Sequence, residues 1–114
     1  MKVAELIANE RRAINGSRLR LEGVFVMINK VGYFVSDMDA IDDMRNAILL
    51  EHENLMKHLF SSVPAYGGGK YVYCDRAEIS GVFERLNESI FFGVMRKIVD
   101  FVIYKYENPM IVRL

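Results

Sequence analysis

The sequence lacks most features that would place it in a specialised class of protein. Cys74 is its only cysteine, so no disulfide can form within the chain and nothing indicates an oxidising compartment. Its 15 basic and 15 acidic residues balance, which removes the general attraction of a basic protein for nucleic acid. The longest apolar run, residues 90–95, falls far short of the roughly 20 residues that span a bilayer. We therefore expect a cytoplasmic protein without a membrane segment.

The N-terminal segment predicts a helix. Its apolar residues recur at helical spacing, and Asn15-Gly16 is a typical stop signal. Those apolar residues are Val3, Leu6, Ile7 and Ile14. Acidic residues interrupt the segment, whereas a signal peptide needs about 7–15 continuous apolar residues. This helix either caps one end of the remaining structure or docks on a partner.

Two β-favouring segments, 18–28 and 77–85, each contain one glycine that is followed by Val-Phe. The glycines are Gly23 and Gly81. Glycine weakens the interior of a strand unless the strand bends sharply or another backbone approaches closely. Two such positions predict a small, strongly curved sheet that closes into a barrel.

Turn signals and β-favouring runs divide most of the remaining chain into strands. The first strand and its successor form a hairpin, and later segments are rich in branched and aromatic residues. An Asn-Pro pair would turn the chain before an edge strand. The predicted elements are a turn at 29–32, strand two at 33–37, strand four at 70–73 and 77–85 with a break at 74–76 left open, strand five at 97–106, a turn at 108–109 and the edge strand at 110–114.

The segment 38–62 allows two interpretations. Apolar residues keep helical spacing over much of it, which would make one long helix. The alternative, which we favour, is a short buried strand at 47–51 followed by a helix at 54–60. The run Ala-Ile-Leu-Leu is apolar on both faces, as in a buried strand, and Asn54 is a suitable N-cap.

This order of elements resembles the OB-fold, a five-stranded Greek-key barrel. The resemblance covers residues 18–106 and points to the small bacterial members of the nucleic-acid-binding OB superfamily. It implies a mainly β domain at 18–114, with one helix between strands three and four and an N-terminal helix, within 1–17, packed on the barrel. The matching segments are Leu-Glu-Gly-Val-Phe-Val (21–26), Gly-Tyr-Phe-Val (32–35), Ala-Ile-Leu-Leu (47–50) and Glu-Ile-Ser-Gly-Val-Phe (78–83).

The resemblance also implies a face for single-stranded nucleic acid on strands two and three and two flanking loops. There, basic side chains would contact phosphate and aromatic rings would stack with bases. The matching residues are Arg20, Lys30, Tyr33, Phe34, Tyr66, Lys70, Tyr71 and Tyr73. Alternatively, the tyrosines pack half-buried on the barrel with their hydroxyls at its rim. The acidic residues nearby would repel phosphate.

A second set of residues favours a protein partner. Between residues 36 and 56, six acidic residues face a single basic one, Arg45. The apolar segments 90–95 and 110–114 exceed what a small core holds, and an exposed remainder would mark an interface. Such a surface suits a partner of complementary charge or a second copy of the chain. The candidate interface residues are Asp37, Asp39, Asp42, Asp43, Phe91 and Phe92.

Signals for metal binding and catalysis are weak. The aspartates lack the glycine and the distal glutamate of an EF-hand. His52 and His58, six residues apart on a helix, would point to different faces. Cys74 has no histidine near it in the sequence, and the glycines before Lys70 lack the spacing of a phosphate loop. We expect no metal, no cofactor and no enzymatic activity.

The sequence therefore predicts a non-enzymatic, OB-like binding module. Single-stranded nucleic acid comes first among its expected ligands because of the resemblance, which is an analogy at the level of the fold. The alternative is a protein-interaction module, an adaptor or an inhibitor, that uses residues 37–43 and the apolar C-terminal segment.

Overall fold

The computed structural model describes residues 1–9, 15–65 and 69–114. The radius of gyration of 13.0 Å is that of a compact protein of this length. Most of the described elements are strands, and two are α-helices. Short 3-10 turns at Met38–Ala40 and Met44–Asn46 lie between the second and third strands. The elements are α1 (Val3–Ala8), β1 (Arg18–Ile28), β2 (Val31–Val35), β3 (Ile48–Leu50), α2 (Leu55–Ser62), β4 (Tyr71–Arg85), β5 (Gly93–Lys105) and β6 (Asn108–Ile111).

All six strands belong to one sheet, in the order β3-β2-β1-β4-β5-β6. Neighbours in that order pair antiparallel. In addition, β3 pairs with β5 in parallel, so that Ile48 lies opposite Gly93 and Leu50 opposite Met95. The short strand β3 therefore has a hydrogen-bonded neighbour on each side.

The hairpin between β1 and β2 has a tighter turn than the sequence predicted. Only Asn29 and Lys30 separate the two strands, and Asn29 has a positive φ of 54°. Asparagine tolerates this left-handed conformation, which two-residue hairpin turns require. As a result, β2 begins at Val31 and ends at Val35 instead of covering 33–37.

The segment 38–62 contains a strand followed by a helix, so the long-helix interpretation is wrong. The strand is shorter than predicted, and the helix begins at Leu55 and extends to Ser62. Asn54 occupies the N-cap position, but its φ is 57° and its side chain makes no capping hydrogen bond. The predicted role of Asn54 as a side-chain cap is therefore wrong.

The last three strands also differ from the prediction at their ends. Strand β4 is continuous, because Cys74, Asp75 and Arg76 pair with β1. Strand β5 begins at Gly93 because its first residues pair with β3 and β4. The turn before β6 is formed by Tyr106 and Glu107, both with positive φ, so the pair 108–109 lies in β6 instead of forming the turn.

Gly23 and Gly81 lie where backbones approach closely, as one of their predicted roles requires. A Cβ at Gly81 would lie 2.7 Å from the carbonyl oxygen of Arg96 on β5. A Cβ at Gly23 would collide with the carbonyl oxygen of Val35 on β2 and with the side chain of Val3. Any larger residue at these positions must push the neighbouring strand away.

The core lies against the sheet and includes both helices. Val3 and Leu6 of α1 are fully buried in the same cluster as Leu55 and Leu59 of α2. Thus the described part of α1 packs on its own chain, and its predicted continuation over 10–14 lies outside the described residues. Neither described helix is long and apolar enough to cross a membrane.

One ion pair is buried near the end of β5. The Nζ of Lys105 lies 2.8 Å from Oδ2 of Asp75, and both side chains are almost completely buried. The same ammonium lies 5.4 Å from the ring centroid of Tyr73. Because each charge is held by the other, removal of either partner would leave an uncompensated buried charge.

Candidate functional site

Three of the aromatic residues predicted to stack with bases are in the interior. Tyr33 is 1% exposed, and Phe34 and Tyr73 are 0% exposed. Phe34 packs on the rings of Phe25 and Phe101 at the centre of the core. Buried in this way, these rings offer no face to a base. Tyr66 lies outside the described residues.

The basic residues of the same prediction do not form one basic surface. Arg20 lies 3.4 Å from Glu78 and 3.8 Å from Asp100. Lys70 lies 3.8 Å from Asp42. These carboxylates offset the positive charges that were expected to contact phosphate. Lys30 is exposed in the turn between β1 and β2 and faces a different part of the molecule.

The tyrosine hydroxyls hold loops in place. Tyr33 donates a hydrogen bond of 2.7 Å to the carbonyl oxygen of Ile41, and Tyr71 donates one of 3.0 Å to Oδ1 of Asp42. Burial is the main cause that raises the pKa of Tyr33 to about 12. The hydrogen bond to Asp42 raises the pKa of Tyr71. Both hydroxyls therefore remain protonated donors at neutral pH.

The residues 37–43, which we call the acidic loop, are ordered by local contacts. Oδ1 of Asp37 accepts a hydrogen bond of 3.0 Å from the backbone N–H of Asp39. Oδ2 of Asp43 accepts one of 2.8 Å from Asn46. Met38 Sδ lies 3.4 Å from Cys74 Sγ on β4. These contacts fix the loop against the sheet while all four aspartates remain exposed.

The residues 86–92 connect β4 to β5, and we call them the apolar connector. Phe92 is 5% exposed, and its ring stacks on Phe83 with centroids 6.2 Å apart. The guanidinium of Arg85 covers Phe92 at 3.9 Å from the ring centroid. Most of the Phe92 side chain is therefore part of the core, so it offers little surface to the interface that the sequence predicted.

Phe91 and Ile90 remain accessible beside it. Phe91 is half-buried and packs on Tyr33, with ring centroids 5.8 Å apart. Ile90 is 66% exposed. Tyr33 thus supports both the acidic loop, through its hydroxyl, and the apolar connector, through its ring.

The acidic loop and the apolar connector face each other across a groove of about 800 Å³, which we call the acidic-apolar groove. The structure thus brings the acidic and apolar candidates of the sequence together in one place. Asp37 and Asp39 belong to the same loop but do not line the groove. The lining residues are Asp42, Asp43, Met44, Arg45, Arg85, Leu86, Asn87, Glu88, Ser89, Ile90, Phe91 and Phe92.

A second groove, of about 840 Å³, lies along α2, and we call it the α2 groove. Sequence reasoning missed this groove, although Lys57 and Phe60 are spaced to share a helix face. None of the described residues that line it is acidic. They are Lys30, Leu50, His52, Asn54, Leu55, Met56, Lys57, Phe60 and Ser61.

His52 and His58 lie close together, contrary to the prediction from helical spacing. Their ring centroids are 5.4 Å apart. The prediction was wrong because His52 precedes α2 instead of belonging to it. Burial, followed by the neighbouring His58, lowers the pKa of His52, and Glu53 opposes that effect. Over the described residues, no group of three or more histidine, cysteine, aspartate or glutamate side chains could hold a metal ion.

Comparison of the chain with protein-family models, with curated proteins and with solved structures finds no match.

Proposed function

We propose that this chain is a non-enzymatic binding module that holds a basic and apolar segment of another protein in the acidic-apolar groove. The proposal rests on one observation, which is that the acidic loop and the apolar connector line the same groove. The acidic loop and the apolar connector are more than forty residues apart in the chain, yet they form the two walls of one groove.

As its scaffold we propose a five-stranded Greek-key barrel of the OB type, with β6 as an additional edge strand. Support comes from the pairings, because β3 joins β2 on one side and β5 on the other. The position of α2 between β3 and β4 also agrees with the order of elements in that fold. The scaffold itself does not select a ligand, so the function rests on the groove.

The charges of the groove favour a basic partner. Asp42, Asp43 and Glu88 line it with exposed carboxylates, of which Asp42 also contacts Tyr71 and lies 3.8 Å from Lys70. Two exposed arginines, Arg45 and Arg85, also line it, and the guanidinium of Arg85 donates to the backbone oxygens of Leu86 and Phe92. Lysine or arginine side chains of a partner would meet the carboxylates, which improves both association rate and selectivity.

The apolar side of the groove supplies contact area. Ile90 projects into solvent, while Phe91 and Met44 are half-buried next to it. Exposed aliphatic and aromatic side chains beside carboxylates suit a segment in which basic and apolar residues alternate. The same carboxylates repel phosphate, so this groove does not suit nucleic acid.

The proposal is tested with fluorescent peptides in which basic and apolar residues alternate, and with the same peptides in which glutamate replaces the basic residues. We expect micromolar binding of the basic set only. Ile90→Ser should weaken that binding about fivefold, since burial of the 66% of Ile90 that is exposed is worth about 1 kcal/mol. Val99→Ser is the matched control, because Val99 is 63% exposed on β5 and does not line the groove.

Amide chemical shifts locate the binding. On addition of the basic peptide, the largest changes should fall on residues 41–45 and 85–92. Equal effects of Ile90→Ser and Val99→Ser, or no binding of any basic peptide at low salt, would contradict the proposal.

A further inference from the structure

The α2 groove contains two lysines without an ion-pair partner among the described residues. Lys30 and Lys57 form no ion pair with any residue in the described ranges. Elsewhere Lys70, Arg20 and Arg96 each lie within ion-pair distance of a carboxylate. The two lysines come from separate elements, the β1–β2 turn and α2, and converge on one groove.

An exposed aromatic ring lies in the same groove. Phe60 is 54% exposed, although it is on the last turns of an amphipathic helix whose Leu55 and Leu59 are buried. One side of its ring approaches Tyr73, with centroids 6.3 Å apart and planes inclined by 35°. The inward contact limits the orientations of the ring and leaves surface for a planar ligand.

Polar side chains complete the lining. Asn54 and Ser61 are exposed and can donate or accept hydrogen bonds, and His52 lies between the end of β3 and α2. Glu53 interacts with His52 electrostatically but does not line the groove. An anion that enters the groove would therefore meet donors and positive charge without a carboxylate to displace.

From this arrangement we propose that the α2 groove binds a nucleotide unit, in which phosphate contacts Lys30 and Lys57 and the base stacks on Phe60. The unit could be a free nucleotide or part of a single strand, since both present the same phosphate and base. An acidic peptide would satisfy the lysines but would leave the aromatic ring unused. This proposal concerns a face other than the acidic-apolar groove and does not depend on the function proposed above.

The test measures fluorescence anisotropy of labelled single-stranded oligothymidylate and oligouridylate with the full chain over a range of salt concentrations. We expect binding that weakens with salt with a logarithmic slope of about −1.4, because each phosphate contact on a single strand contributes about −0.7. Lys57→Gln should lower the affinity and reduce that slope by about 0.7. Phe60→Leu should lower the affinity at least about fivefold, since stacking on one base is worth about 1–3 kcal/mol.

The matched control is Lys97→Asn, which removes one exposed positive charge on β5, outside the groove. Asparagine tolerates the positive φ of 50° at that position. Lys97→Asn should leave the affinity unchanged, and Ile90→Ser should do the same. Thermal unfolding of each variant verifies that it folds.

Competition experiments distinguish a free nucleotide from a single strand, and both from an acidic polymer. Displacement of the oligonucleotide by a mononucleotide supports a site for free nucleotides, whereas resistance to it supports a site for single strands. Displacement by polyglutamate as effective as by unlabelled oligonucleotide would overturn the proposal, because charge alone would then explain binding. Absence of binding at low salt, an unchanged affinity in Phe60→Leu, or equal losses in Lys57→Gln and Lys97→Asn would also overturn it.

Discussion

The acidic-apolar groove and the α2 groove have nearly the same size, about 800 and 840 Å³, but they are built in opposite ways. In the first, polar side chains of the sheet are occupied in holding the walls, as Tyr33 and Tyr71 do for the acidic loop. In the second, a helix and a two-residue turn form the walls, and the lysines on them remain unpaired within the described chain.

A side chain whose chemistry suits a ligand can therefore be occupied by a hydrogen bond or an ion pair within the protein. Tyrosine, lysine and arginine were assigned to a ligand because the resemblance placed them on a binding face and their chemistry suits one. The structure shows that tyrosines anchor loops and that Lys70 and Arg20 lie beside carboxylates. Residues available to a ligand are those that make no hydrogen bond or ion pair within the folded chain.

The largest effect that separates the two grooves is expected from truncation of Tyr33, which supports the walls of the first, and of Phe60, which lines the second. Tyr33→Ala removes a buried ring that contacts both walls, and should lower the free energy of unfolding by about 3–5 kcal/mol. Phe60→Ala removes a ring that is 54% exposed, and should cost about 1 kcal/mol or less. Chemical denaturation of the two variants measures this contrast. Similar losses would show that the two grooves do not differ in the way described.

A smaller effect is expected from the hydroxyl of Tyr33 alone. Tyr33→Phe keeps the ring but removes the hydrogen bond to Ile41, which should cost about 1 kcal/mol at neutral pH. Burial raises the pKa of Tyr33 from 10.0 to about 12 in the folded protein. The unfolded chain therefore loses this proton first, so Tyr33 contributes a fall in stability as the pH rises from 10.0 to about 12.

Unfolding measured at neutral pH tests the loss of the hydrogen bond, and unfolding measured across this alkaline range tests the raised pKa of Tyr33. The loss of stability between these pH values should be smaller in Tyr33→Phe than in the native chain, since phenylalanine does not titrate. Tyr104→Phe, at a position on β5 where hydrogen bonding to Glu78 is the main cause of a raised pKa, is the comparison variant. An identical alkaline loss in the native chain and in Tyr33→Phe would contradict the assignment.

The smallest effect concerns the α2 groove under acidic conditions. Burial and His58 lower the pKa of His52 below its ordinary value of 6.5, so the unfolded chain binds this proton more readily. Stability should therefore decrease as the pH falls below 6.5, and this part of the decrease should be absent in His52→Gln. Titration of His52 followed by nuclear magnetic resonance measures directly whether its pKa is lowered. A pKa of His52 above 6.5 would contradict the electrostatic description of this groove.

The order of strands and helices was largely predictable from the sequence, because turn residues and β-favouring runs act locally. Strand β1 has the predicted limits, and the order of strands and helices follows from turn residues and β-favouring runs. Gly23 and Gly81 predicted either a sharp bend or a close approach of backbones, and a Cβ at either position would collide with a carbonyl oxygen of a neighbouring strand. The limits of β5 and β6 were misplaced because Gly93 and Asn108 become strand residues only through pairing with distant segments.

The candidate site was less predictable because exposure is a property of the whole fold. Tyrosine suits both a buried anchor and a stacking surface, so composition did not reveal that Tyr33 and Tyr73 are in the interior. The approach of His52 to His58 depends on where α2 begins, a boundary that sequence patterns place poorly. The acidic and apolar candidates lie in separate segments, and their distance in the sequence concealed that they share a groove.

The parallel pairing of β3 with β5 also constrains how the polypeptide acquires its structure during synthesis. A nascent chain can form the hairpin of β1 and β2 early, since the two strands are adjacent in sequence. Strand β3, only three residues long, must wait until β5 has left the ribosome before its second edge is satisfied. Contacts of such long sequence separation slow folding, so an incomplete chain leaves this edge of β3 open to pairing with other strands.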